Sequence, residues 1–152
     1  MNKQDFTTGF LVDQTPKEVF EAINDVRGWW TEGVEGNTEK LNDEFFVQFW
    51  NVHYSKQRLI EVVPYSKIVW LITESKLTFI DDESEWTGTQ IVFDITKKGE
   101  QTEVRFTHIG LVPQGECYND CSNAWTGYIN NSLKNLITTG KGNPTTKEEL
   151  TK

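Results

Sequence analysis

Cys121-Ser-Asn-Ala-Trp125-Thr-Gly-Tyr128-Ile129-Asn-Asn-Ser-Leu133-Lys-Asn-Leu136-Ile137-Thr-Thr-Gly140 is the stretch that decides the fold. Its apolar groups fall at 121, 125, 128/129, 133 and 136/137, the i, i+4, i+7/8 spacing of a single helical stripe. This helix comes after a long run of strand patterns. A helix so aromatic, laid across a curved sheet, can leave a hollow between the two layers.

Working back from it, two strands are clear. In Thr89-Gln-Ile91-Val-Phe93-Asp-Ile95 the residues 91, 93 and 95 share a face, opposite Gln90 and Asp94. In Glu103-Val104-Arg105-Phe106-Thr107-His108 the residues 104, 106 and 108 do the same, and Lys97-Lys-Gly99-Glu makes the turn between them. Polar on one side and apolar on the other is the pattern of a half-solvated antiparallel sheet. Further back, Ile68-Val-Trp70-Leu-Ile72-Thr73 is β-branched and aromatic, and Pro64-Tyr-Ser-Lys67 joins it to a strand over 58–63. Residues 45–52 are bulky on both parities and read as a further strand. Asp81-Asp82-Glu83-Ser84-Glu85 reads as a solvated loop or strand edge, with a cation or partner contact as the alternative.

The chain opens with a loosely alternating strand, Phe6-Thr-Thr-Gly-Phe10-Leu-Val12. Thr15-Pro16-Lys17-Glu18 then starts a helix: Thr caps, Pro takes the first helical position, and Glu reaches back to complete a capping box. Val19, Phe20 and Ile23 form its buried stripe, which runs out near Gly28 with Trp29 and Trp30 just beyond. The polar tail after Gly140 carries turn residues and is expected to fray. Strands bracketed by helices, with no repeat and no linker, argue one α+β domain over residues 1–152, its helices on one face of the sheet.

Composition limits function. Six Trp, nine Phe and four Tyr in 152 residues concentrate apolar area in a few rings, each able to bury about 150–250 Å². They can pack a core, line a cavity, or do both. The formal charge is −8 and no cationic run exceeds Lys97-Lys98, so the phosphate backbone of a nucleic acid is a disfavoured partner. No apolar stretch reaches the ~18 residues of a membrane span, and Met-Asn-Lys-Gln-Asp has no signal-peptide apolar region. A cytoplasmic protein is expected, and its two cysteines fit a reducing compartment.

The order of elements resembles the START-like (helix-grip) superfamily, and within it the branch of activators of the heat-shock-protein-90 ATPase. Three stretches carry the resemblance: Phe10-Leu-Val-Asp-Gln-Thr-Pro-Lys-Glu-Val-Phe-Glu-Ala-Ile23, Thr102-Glu-Val-Arg-Phe-Thr-His-Ile-Gly-Leu-Val-Pro113, and the closing helix from Cys121 to Leu136. It implies a curved antiparallel sheet wrapped around a long C-terminal helix, commonly with an apolar ligand held between them. It also brings in a chaperone or a second copy of the chain as partners. The superfamily spans carriers, receptors, cyclases and chaperone activators, so fold alone does not choose among them.

The site expected from the sequence is a ligand cavity between sheet and closing helix, lined by Phe10, Trp50, Trp70, Phe93, Phe106, His108, Trp125 and Ile129. Strand parity near 50 and 70 is ambiguous. His108 shares the face of Val104 and Phe106, where it could bond a ligand, act as acid or base, or be a core histidine satisfied by backbone or helix. Cys117 and Cys121, four apart, could join His108 in a metal site, form a bond that staples little, or be one small core residue and one loop residue. No nucleophile elbow, phosphate-binding glycine loop or His-Glu-x-x-His occurs. A non-catalytic binding module without a cofactor is therefore the leading expectation, ahead of chaperone stimulation or a cyclase or hydrolase using His108.

Overall fold

A computed structural model describes residues 5–150. Residues 1–4, part of the stretch read above as lacking a signal-peptide region, lie outside them. Seven antiparallel strands form one sheet: β1 (Phe6–Val12), β2 (Val34–Gly36), β3 (Glu44–Phe49), β4 (His53–Val63), β5 (Lys67–Leu77), β6 (Gln90–Lys98) and β7 (Gln101–Ile109). Their order is β1-β7-β6-β5-β4-β3-β2. The first strand thus pairs with the last, Phe6 opposite His108 and Val12 opposite Thr102.

The alternation expected for β7 holds, with Thr102, Val104, Phe106 and His108 all buried. Ile91, Phe93 and Ile95 of β6 and Ile68, Trp70 and Ile72 of β5 face the same interior. The β4–β5 register shifts between Lys56 and Gln57 and again between Leu59 and Glu61. Such bulges bend a strand pair and add twist, which makes the sheet concave toward the helices.

Three elements fill the concave side. Helix α1 (Pro16–Asn24) begins with the expected capping box, Thr15 and Glu18 bonding each other's backbone N–H. Trp29 does not lie beyond a helix: it ends a second short one, α2 (Val26–Trp29), and both Trp29 and Trp30 are buried. The closing helix starts three residues earlier than its apolar stripe and runs as α3 (Tyr118–Gly127), a π-helical stretch (Tyr128–Leu133) and α4 (Lys134–Thr139). Ile129, Ser132 and Leu133 are all buried in the wider π turns, a feature frequent at functional sites.

Two expectations need correction, and one strand was not foreseen. Strand β3 stops at Phe49, so Trp50 lies in the turn to β4 rather than in a strand. Strand β2 has no periodicity to reveal it, being three residues long. Through residue 150 the tail does not fray. Thr145 pairs its backbone with Trp30 and Glu32 (3.1 and 2.9 Å), and Asn143 N–H bonds Ser132 Oγ at 2.7 Å. Gly142 lies so close to the Gly28 carbonyl that a Cβ there would collide with it. A last helical turn, α5 (Lys147–Leu150), is capped by Thr146 and Glu149 as α1 is by Thr15 and Glu18.

Candidate functional site

The middle of the concavity is filled. Trp70 stacks on Trp29 and Trp30 with centroids 6.3 and 5.9 Å apart and planes within 12° and 15°. Phe93 meets Trp70 edge-on at 5.0 Å, Phe106 meets Phe93 at 5.4 Å, and Trp125 leans on Phe106 at 4.7 Å. Trp70, Phe93, Phe106, Trp125 and Ile129 are brought together as expected, but as a packed aromatic core. Phe10 lies half-buried on edge strand β1, packed against that core.

His108 is wholly enclosed and both ring nitrogens are engaged. Trp125 Nε1–H donates to Nδ1 at 3.1 Å, which fixes the proton on Nε2. Nε2–H then donates to Thr89 Oγ1 at 2.9 Å, and Thr89 donates on to the Trp86 carbonyl at 2.6 Å. The chain of bonds ties closing helix, sheet and the loop after β5 together. Burial, with the nearby His53 ring adding to it, lowers the His108 pKa to about 3. Neither nitrogen is left to meet a substrate.

Space remains at one end. A half-open cleft of about 200 Å³ lies between the β3–β4 turn, the loop after β5 and the first half of the closing helix. Trp30, Trp86 and Trp125 form its floor, all nearly buried. Phe49, Trp50, Phe79 and Tyr128 stand around it, and Asp120, Cys121 and Ala124 contribute from α3, with His53 from β4. Of the eight expected lining residues, Trp50 and Trp125 reach this cleft. Trp86 stacks on Trp125 (5.8 Å, 12°) and meets the rings of His108 and His53 nearly at right angles. Desolvation among these rings lowers the His53 pKa to about 3 as well, although the residue is only half-buried at the cleft wall.

Two devices hold the cleft open. Glu85 bonds the backbone N–H of Glu116 and Cys117 (2.8 and 3.0 Å), capping α3 from outside, while Glu116 returns two bonds to Asp81 and Asp82 N–H (3.2 and 2.9 Å). A carboxylate suits a helix N-terminus, where unpaired N–H groups and the helix dipole favour negative charge. Glu85 is therefore an anchor of the acidic loop rather than a solvated member of it. On the opposite rim Trp50 adopts φ +54°, uncommon for a bulky side chain. Its Nε1–H is held by the Glu149 carbonyl at 3.1 Å, and Tyr128 Oη meets Thr145 Oγ1 at 2.7 Å. The folded tail thus secures two lining residues.

Cys117 and Cys121 are joined as a disulfide across the first turn of α3, their Cα atoms 5.5 Å apart. Of the three readings the sequence left open this is the bond, and it withdraws the support that two free thiols gave to a reducing compartment. With both sulfurs committed to each other and the His108 nitrogens to Trp125 and Thr89, these three residues do not form a metal site. Sequence reasoning missed Trp86 as a cleft residue because the loop around it has no periodicity. It missed Asp120 and Ala124 although, with Tyr128, they recur at i, i+4 and i+8 beside the apolar stripe.

The family model described as activator of Hsp90 ATPase homolog 1-like protein matches residues 13–138. A comparison with curated proteins finds no match. Among solved structures, that of the Aha1 dimer from Colwellia psychrerythraea superposes with a TM-score of 0.74 at 21% identity, covering 91% of this chain and 99% of that one. SSP2350 from Staphylococcus saprophyticus gives 0.69 at 16%, covering 94% and 98%. CalU16 from Micromonospora echinospora gives 0.63 at 11%, covering 90% and 77%. At these identities what is shared is the fold.

Proposed function

The chain belongs to the activator of Hsp90 ATPase homolog 1-like family, and on that premise we propose that it is a non-catalytic binding module. Its site is the half-open cleft beside α3, and its ligand a small apolar or aromatic molecule. The observation that carries this reading is the contrast between floor and rim. Three nearly buried indoles make a preformed apolar floor, while Trp50 and Phe79, 45% and 42% exposed, leave the entrance wet. The cleft lies below the roughly 300–1,000 Å³ of drug-sized sites, so it suits one ring or a branched alkyl group, with the rest of a larger ligand emerging past the rim. Native mass spectrometry of protein from its own cells tests this. A small molecule is expected to co-purify and to be absent from Ala124→Trp, which fills the cleft from its exposed wall. No co-purifying molecule, together with no saturable tryptophan quenching by a panel of single-ring compounds, would overturn it.

A second reading, stimulation of a chaperone ATPase in the cytoplasm, draws support from the family's description and from the apolar tip formed by Trp50, Val52 and Phe79. It predicts that the purified chain raises the ATPase rate of Hsp90 and that Trp50→Ala and Phe79→Ala remove the effect. An unchanged rate at saturating chain disposes of it. The dimeric state of the Colwellia structure makes a homodimer part of the same proposal, checked by sedimentation.

A further inference from the structure

The polar ends of the cleft's side chains are largely spoken for. Trp125 Nε1–H is turned to His108, Trp50 Nε1–H to the Glu149 carbonyl, Tyr128 Oη to Thr145, and His53 Nε2 to Ser55 Oγ at 2.9 Å. Trp86 Nε1 is sealed from solvent and meets no partner among the described residues, so it is not offered to a ligand at the entrance. Asp120 differs. It is exposed, lines the cleft and has no ion-pair partner among the described residues. Among the described residues no Lys or Arg lines the cleft, and Asp81, Asp82 and Glu83 follow Phe79 closely in the sequence.

We propose that the ligand of this cleft is a small organic cation, an alkyl- or arylammonium whose positive end meets Asp120 and whose apolar body meets the ring walls. This rests on the reading of the cleft as a binding site and names the chemistry of its ligand. Aromatic walls attract cations through the ring quadrupole, most strongly where water is displaced, and Asp120 supplies the formal counter-charge. A carboxylate or phosphate ligand would meet one uncompensated negative charge and few free donors. A neutral ligand would gain from apolar burial alone. Cavity size favours a single compact group such as trimethylammonium.

Calorimetric titration with choline and with its uncharged analogue, in which a carbon replaces the nitrogen, tests the proposal. Choline is expected to bind at least tenfold more tightly. Asp120→Asn, at an exposed position that tolerates the change, is expected to cost choline about tenfold and leave the analogue unaffected, while Asp120→Glu retains most of the preference. Phosphocholine distinguishes the source: weaker binding than choline assigns a free cation, equal binding assigns a headgroup, and either keeps the ammonium chemistry. Equal affinity for choline and the analogue, both lost in Ala124→Trp, overturns the cation and leaves the cleft standing. Binding of neither, nor of any single-ring compound, overturns both.

Discussion

The two ends of one concavity are built from the same residue types and do opposite things. Around Trp70 the rings interlock: Trp29, Trp30, Phe45 and Phe93 all lie within about 6.3 Å of it, and it is fully buried. Around Trp86 the rings form a floor, and the side toward solvent is left to Trp50 and Phe79. The difference comes from what covers each end. Trp70 is covered by α2 and its following Trp30, which bring two further indoles onto it. Trp86 is covered by α3, whose cleft-facing residues at 120 and 124 are Asp and Ala, too short to fill the space. Aromatic content alone therefore does not make a pocket; the size of the facing side chains does.

The contrast is sharpened most by removing a ring from each end. Trp70→Ala opens a hole in close packing and is expected to cost about 3–5 kcal/mol in stability, read as a lowered denaturant midpoint. A cost below about 1 kcal/mol would mean the closed end is not packed as described. The acid limb of stability is the next effect. His108 has a folded-state pKa near 3, below the ordinary 6.5, so the folded chain binds this proton less readily than the unfolded one. Its contribution is fully present above pH 6.5 and is lost as pH falls toward 3, by an amount on the order of a few kcal/mol. The denaturant midpoint should stay flat from pH 8 to 6.5 and fall below; a flat profile between pH 6.5 and 5 contradicts the enclosed neutral ring.

Smaller effects belong to the open end. Glu85→Ala removes two charge-assisted bonds to the α3 N-terminus and is expected to cost about 1–3 kcal/mol, with faster amide exchange at Glu116 and Cys117. Unchanged exchange there would mean the latch is not formed. Trp50→Ala should alter stability by less than about 1 kcal/mol, since the ring is exposed, yet weaken ligand binding about tenfold. Equal losses at Trp50 and Trp70 in both assays would erase the distinction between the two ends.

Much of the fold is legible in the sequence because one face of each strand is wet. Val104, Phe106 and His108 alternate with Glu103, Arg105 and Thr107, and only one register buries the first set. The capping box at Thr15 marks α1, whereas the same signature at Thr146-Lys-Glu-Glu149 precedes no apolar run that would set it apart from a polar tail. The cleft was harder to see. Its residues come from turns, a loop, two strand ends and the first half of the closing helix, and only the helical ones recur with a period. Trp50, taken as a strand residue, owes its place to a left-handed turn, and Trp86 owes its burial to a loop anchored by Glu85 at a distance of 32 residues. Periodicity finds the faces that pack, and it groups Trp70, Phe93 and Phe106 with the site because they share a face with Trp125.

The most direct test of a filled centre beside a receptive end is the NMR signals of the six indole N–H groups, followed as the tightest of the compounds above is titrated in. The signals of Trp50, Trp86 and Trp125 should shift together at one saturating ratio while those of Trp29 and Trp70 stay in place. Shifts at Trp29 and Trp70 with Trp50 and Trp86 unmoved would put the ligand in the core and contradict the account.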